Sequence, residues 1–359
     1  MAGVGNTALA AGSSGGTASP DGALTRAEPW HDGKASEQVA PGQGRYNRTM
    51  HQGNRTVFEF FLLGLSAGSE QQQLIFMLLL CMYLVTMVGN LLIILAIIND
   101  AHLQSPMYFF LANLSFTDIC FTNTTIPKML VDIQSQSSTI SFSGCLSQMY
   151  FFMLLVDLDN FLLAAMAYGR YIAICHPLHY AALLSPKHCT LLVVTPWVIS
   201  ILVSTLHLSL LNLLTFCDKR EIPHFFCDLE PILKLACSDT QINDLTILVT
   251  GGAVIFIPFV FIIVSYALIG CTVLRVPSAK GKWKTFSTCS SHLSAVSLFY
   301  GSIIAVYFLP SSHYSPERDK VAAIMYTIVT PMMNPFIYSL RNKDMKGALR
   351  KLFSRKKYF

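Results

Sequence analysis

Carboxylates are costly to hold among apolar residues, and this chain carries three inside long apolar stretches: Asp118, Asp157 and Asp159. Insertion scales charge roughly 2.5 to 3.5 kcal/mol for a central Asp, so each should face the interior of whatever the stretches build. Asp159 and Arg170 are eleven residues apart, close to three turns at about 3.6 residues each, and share one helix face. Asp157 is turned about 200° from Asp159, on the side of Met153. Asp159 could meet Asp118, Asn90 and Asn334 in mid-bundle, an all-oxygen set that suits a hard cation such as Na⁺, or water. The plainer reading is a hydrogen-bonded cluster with one Asp protonated. Two membrane aspartates can also activate water in proteolysis, but no Gly-x-Gly-Asp string accompanies either, so no enzyme is expected. An ion-coupled transporter using Asp118 and Asp159 is the stronger alternative, although no inverted repeat is evident. His224, Cys227 and Asp228 could ligate a metal, but no second Cys or His stands at ligand spacing, and a disulfide at Cys227 would remove its thiolate.

The elements that must position these groups follow from composition. Of 359 residues, 53% are hydrophobic and only 13% charged, too little charge for a soluble domain of this length. Seven apolar stretches, at residues 74–98, 107–130, 146–171, 191–213, 245–273, 285–309 and 321–340, each reach the roughly 20 residues that a bilayer core requires. They are continuously apolar rather than alternating, which predicts helices and not barrel strands. The expected fold is an all-α membrane protein, a seven-transmembrane helix bundle. Residues 1–72 are expected as an extracellular N-terminal region, with 1–49 a disordered extension. The bundle itself spans 73–342, and 343–359 form a cytoplasmic basic tail.

Lysines and arginines set the orientation. Arg341, Lys343, Lys346, Arg350, Lys351, Arg355, Lys356 and Lys357 follow the last stretch against the single acid Asp344, so that end is cytoplasmic and the N-terminus outside. Met345, Ala348, Leu349 and Leu352 recur at helical spacing, as in an amphipathic helix on the membrane. The net charge of +5 points to anionic lipid and not to nucleic acid. Of ten cysteines, Cys145, Cys217, Cys227 and Cys237 fall outside, an even set that implies two disulfides without choosing among three pairings. Asn47 and Asn54 begin glycosylation sequons on the outer side. Asn113 and Asn123 match the same pattern within a span and read as false positives. The longest loop, residues 215–243, should fold over the extracellular mouth.

Several strings, in order along the spans, now carry a resemblance. They are Gly89-Asn90, PMYFFLANLSFTD at 106–118, MAYGRYIAICHPLHY at 166–180, Ser265-Tyr266, KTFSTCSSHL at 284–293 and PMMNPFIYSLRN at 331–342. Together they resemble olfactory receptors of the rhodopsin-like, G-protein-coupled type over roughly residues 54–353. Members typically begin near Met50, so a mature product starting there is expected. The resemblance implies a multi-pass plasma-membrane receptor for a small volatile odorant that activates an olfactory stimulatory G protein and raises cyclic AMP, with no cofactor beyond the Na⁺ already considered. It implies disulfides Cys145–Cys227 and Cys217–Cys237, and an odorant pocket lined by Phe152, Met153, Val156, Asp157, Asn160, Ile303 and Tyr307. Asp118, Asp159, Asn90 and Asn334 match the sodium-linked polar core of related receptors. Arg170, Tyr266, Asn334, Pro335 and Tyr338 match residues that transmit activation to the G protein.

Two positions depart from the family pattern. Relatives have Asp before the span-three Arg, where it pairs with that Arg and favours the inactive state; this chain has Gly169. Without the Asp, either raised basal signalling or weakened folding and coupling is expected, and a helix-interior Gly costs about 1 kcal/mol relative to Ala. Pro196 stands where a small residue is usual and should kink span four or remove one hydrogen bond.

Overall fold

The computed structural model describes residues 59–64, 69–217, 219–307 and 316–355. Asn47, Asn54 and the extension before Met50 lie outside them. Among the described residues, seven long helices form the body. They are α1 (Ser69–Asn99), α2 (Pro106–Ser135), α3 (Phe142–Cys175), α4 (Pro186–Asn212), α5 (Gln241–Arg275), α6 (Ala279–Tyr307) and α7, which runs Pro316–Ile324, Met325–Val329 and Thr330–Arg341. Each covers one predicted span. By length and composition α1, α3, α4, α5 and much of α7 are apolar enough to cross a membrane. The other two are equally long but more polar: α2 carries Asp118, Lys128 and Asp132, and α6 opens on Lys280, Lys282 and Lys284. α2 packs between α1 and α3, and the α6 lysines stand at the cytoplasmic opening of that helix, where Lys280 is exposed.

Local chemistry sets the helix ends. Ser141 caps α3 by accepting from the Gly144 N–H at 3.1 Å, and Pro106 and Pro186 open α2 and α4, where a missing N–H costs nothing. Gln136, with φ of 52°, ends α2 in the left-handed region. Two π-helical turns, Gly252–Phe256 in α5 and Met325–Val329 in α7, sit just before Pro258 and Pro331. α4 continues unbroken past Pro196, so that proline does not end the helix.

One departure from the all-α expectation closes the outer end. Strand β1 (Glu59–Leu62) pairs antiparallel with β2 (Thr139–Ser141) and parallel with β3 (Glu221–Ile222). Phe60 and Leu62 alternate inward at a period of two. They enter a core with Cys145, Met149, Leu211, Cys227 and Ile232. The long loop folds over the bundle as predicted. Its Phe225 and Phe226 are buried, and Asp228 caps the short helix Leu229–Leu233 through the Leu229 N–H at 2.7 Å. Disulfides join Cys145 to Cys227 and Cys217 to Cys237.

At the cytoplasmic end the basic tail forms α8 (Lys343–Arg355). Asn342 caps it, accepting from the Asp344 and Met345 N–H groups. Met345 and Ala348 are buried in the main helix core rather than turned to lipid. Lys351 reaches Asp100, between α1 and α2, at 2.8 Å, and this hydrogen bond, with those from His102, holds the Asp100 carboxyl down at about 2.

Candidate functional site

The expected ligand face of α3 is built of residues about one turn apart, all packed inward. Phe152 lies 4.7 Å from Phe226 of the long loop, 5.3 Å from Phe121 of α2 and 6.0 Å from Tyr326 of α7, measured between ring centroids. Met153 bridges this aromatic cluster and the outer core. Val156 packs between the aromatic cluster and the main core, to which Ile303 of α6 also belongs. Asp157 is buried with them. The side chain of Tyr307 lies outside the described residues.

Asn160 is the junction of three helices. Pro258 has no N–H, so the carbonyl four residues earlier, that of Val254, has no partner in the α5 ladder. The Asn160 Nδ2 supplies one, while its Oδ1 accepts the Tyr300 hydroxyl of α6. Both ends of its amide are therefore engaged by protein, and α3, α5 and α6 meet at one buried side chain. The same device recurs between α1 and α7. Pro335 leaves the Pro331 carbonyl without a helical donor, and Asn90 Nδ2 donates to it at 3.1 Å. Gly89 makes that approach close: a Cβ there would stand 3.0 Å from both Cβ and Cγ of Pro335.

The four predicted polar-core residues converge. Asn334 Nδ2 lies 2.9 and 3.2 Å from the two Asp118 oxygens, Asp159 is within electrostatic reach of Asp118, and Asn90 holds the α7 turn beside Asn334. All four are buried. Three oxygens here accept from no protein donor: Asn90 Oδ1, Asp159 Oδ1 and Asn334 Oδ1. Among the described residues no three His, Cys, Asp or Glu side chains gather as a metal cluster. In the outer loop, Cys227 is consumed by its disulfide and Asp228 by its cap. His224 lies 4.5 Å from Phe225 in a tilted arrangement and 4.4 Å from Phe226 edge-on, measured between ring centroids. Burial, with the charge of Lys320, pushes its imidazole down to about 3, so it is neutral at physiological pH.

Towards the cytoplasm, Arg170 is buried, with Tyr266, Cys289, His292 and Tyr338 within electrostatic reach of its guanidinium. His292 is the residue that sequence reasoning passed over. One ring nitrogen meets the Tyr266 hydroxyl at 2.7 Å and the other the Leu163 carbonyl at 3.1 Å, linking α6 to α5 and α3. A histidine inside an apolar span is itself a signal of such a role. At Gly169 an added Cβ would meet only Met107 Cε at 3.5 Å and Phe110 Cε2 at 3.8 Å, so backbone crowding does not demand glycine.

A cavity of about 770 Å³ opens elsewhere, among β1, α1, α2, the long loop and Lys320 of α7. None of the seven expected pocket residues lines it.

The chain is similar to known proteins in sequence and in fold. A sequence-family model described as olfactory receptor matches residues 79–356. Rat (Rattus norvegicus) olfactory receptor 1f45 is 58% identical over 299 residues, covering 83% of this chain and 96% of the relative. Human (Homo sapiens) olfactory receptor 1N1 is 57% identical with the same coverage, and mouse (Mus musculus) olfactory receptor 1M1 is 55% identical over 85% and 97%. The fold is shared with squid rhodopsin at a TM-score of 0.65 and 16% identity, over 80% of this chain and 87% of that one. The seven-helix bundle with these signature strings thus belongs to the olfactory receptor family, as a multi-pass plasma-membrane receptor and not an enzyme.

Proposed function

We propose that this receptor binds a small, largely apolar odorant against the α3 face of Met153, Val156 and Asp157, with Phe152, Ile303 and Tyr307 around it, and passes the signal through Asn160. The observation that carries this reading is the Asn160 junction. A ligand pressing on α3 one turn above it would shift the Val254 and Tyr300 bonds together, and so move α5 and α6 relative to α3. The His292 links to Tyr266 and Leu163 continue the chain of contacts towards Arg170. Apolar walls with one or two polar groups suit a small hydrophobic molecule. Opening of the cytoplasmic ends of α5 and α6 around Arg170, Tyr266 and Tyr338 would admit a G protein of the olfactory stimulatory type, and cyclic AMP would rise.

Na⁺ is the allosteric ion in this reading. The unbonded oxygens of Asn90, Asp159 and Asn334 beside the Asp118 carboxylate are hard acceptors of the kind that the ion prefers. Bound there, it would brace α1, α2, α3 and α7. The transporter alternative built on Asp118 and Asp159 loses ground, because these carboxylates stand in a receptor bundle.

The test is an odorant screen in cyclic AMP reporter cells, followed by Met153→Ala and Tyr307→Ala on the best agonist. Both should shift the dose-response curve at normal surface level. Unchanged curves for both would remove the pocket from α3.

A further inference from the structure

The last turn of α8 carries a serine that the signalling path above does not use. Ser354 is exposed, one residue before the end of the helix. Its sequence surroundings are cationic: Arg350 and Lys351 stand four and three residues before it, and Arg355, Lys356 and Lys357 follow it directly. Arg350, Lys351 and Phe353 are exposed too, so this half of the helix stands clear of the core that holds Met345 and Ala348. Helical side chains lean towards the N-terminus. Ser354 is thereby aimed over the turn of Arg350 and Lys351, at about 5–6 Å between Cβ atoms for residues three or four apart. Lys351 already has a specific partner: its ammonium meets Asp100 at 2.8 Å. Asp100 is buried and also accepts from the His102 N–H at 3.1 Å, at the head of the short helix Ala101–Leu103. One lysine therefore pins the far end of α8 to the turn between α1 and α2.

We propose that Ser354 is a phosphorylation site for a serine kinase that prefers basic surroundings, and that its phosphate takes Lys351 from Asp100 and so frees the end of α8. In the transfer the Ser354 Oγ forms a bond to the γ-phosphorus of ATP and the bond from that phosphorus to the β–γ bridging oxygen breaks. ADP leaves, and the hydroxyl proton passes to a base of the kinase. Such a kinase reads its substrate by charge, and cations on both sides of Ser354 complement an acidic groove. The serine must be lifted out of the helix to enter that groove. Helix ends fray, and Ser354 stands in the last turn, so little structure is lost. The product carries a charge of about −1.5 to −2 and three strong acceptor oxygens, against the single charge of Asp100, and it lies on the same helix as Lys351. Negative charge at a helix C-terminus also opposes the dipole, which loosens the final turn further. Met345 and Ala348 stay in the core, so the first half of α8 remains docked while the half from Arg350 onward lifts.

The experiment uses the full-length receptor in lipid nanodiscs, incubated with ATP and protein kinase C, a kinase that accepts cations on both sides of its serine. A water-soluble carbodiimide is then added, which joins a carboxylate to a touching amine as an amide with loss of water. Peptide mapping by mass spectrometry reads both the phosphate and the Asp100–Lys351 cross-link. Phosphate is expected on Ser354. The cross-link should fall about fivefold in the phosphorylated receptor, a ratio equivalent to about 1 kcal/mol, the upper end for an exposed ion pair. Ser354→Ala, a mild change at an exposed helix end, should keep the cross-link under the same treatment. Arg350→Gln should slow phosphorylation of Ser354 severalfold and leave the cross-link of the unmodified receptor as it was. Phosphate confined to other cytoplasmic serines, such as the exposed Ser278, or none at all, would overturn the site. A phosphorylated Ser354 with an undiminished cross-link would overturn the release of Lys351, and so would a receptor that shows no Asp100–Lys351 cross-link before the kinase is added.

Discussion

Asn160→Leu removes the donor to the Val254 carbonyl and the acceptor of the Tyr300 hydroxyl in one step, at a buried position. Each buried polar group left without a partner costs about 1–3 kcal/mol, so the variant should lose about 2–6 kcal/mol. The Val254 part exists because Pro258 cannot donate, and this makes it separable. Pro258→Ala supplies an N–H four residues after Val254, the donor that an unbroken helix would have had. In that background Asn160→Leu should lose only the Tyr300 part, about 1–3 kcal/mol, leaving a coupling of about 1–3 kcal/mol between the two sites. At roughly 2–4 °C per kcal/mol for a chain of a few hundred residues, the difference is readable in thermal melts of detergent-purified receptor. The free buried thiols of Cys189 and Cys289 can report unfolding by reaction with a thiol-sensitive dye. Tyr300→Phe should cost about 1–3 kcal/mol in either background, because its bond does not depend on Pro258. Equal losses of Tm from Asn160→Leu with and without Pro258 would refute the claim that Asn160 replaces a missing backbone donor.

Two glycines should respond with opposite signs. Gly89→Ala drives a Cβ to 3.0 Å from two ring atoms of Pro335; overpacking of this kind costs about 1–3 kcal/mol, and an unchanged Tm and surface level would count against the α1–α7 approach. Gly169→Ala meets only ordinary contacts and should stabilise α3 by about 1 kcal/mol, so a lowered Tm would contradict the packing described. Gly169→Asp should lower basal cyclic AMP per surface receptor by adding a carboxylate beside Arg170, and the same basal level would show that the departure is harmless. His224 is held at about 3 against an ordinary 6.5, so the unfolded chain takes the proton first. Stability is full above pH 6.5 and is lost as pH falls towards 3, by about 1.4 kcal/mol at pH 5.5. His224→Asn should flatten the dependence of Tm on pH in that window, and an equal slope in parent and variant would place the titrating group elsewhere.

Much of the architecture was legible in the residues alone, because the signals are local or additive. A run of twenty apolar residues must cross a bilayer as a helix whatever its neighbours are, and Lys and Arg in short loops orient it. An even set of outer cysteines implies bridges, and six ordered strings imply the family. Even the convergence of Asp118, Asp159, Asn90 and Asn334 could be anticipated, since costly side chains must turn inward. The β1 strand was visible only as a two-residue alternation, Phe60 and Leu62, too short to declare itself without partners some 80 and 160 residues away. What tertiary structure alone decided is the pairing. The sequence shows that Pro258 deprives Val254 of a donor, but the side chain that replaces it lies 94 residues earlier, and nothing local selects Asn160 over the other polar groups in the spans. His292 is of the same kind, its two partners lying 26 and 129 residues away. Cavities are more remote still: the space beside Lys320 is what remains after five separate segments have packed, and its shape is written in none of them singly.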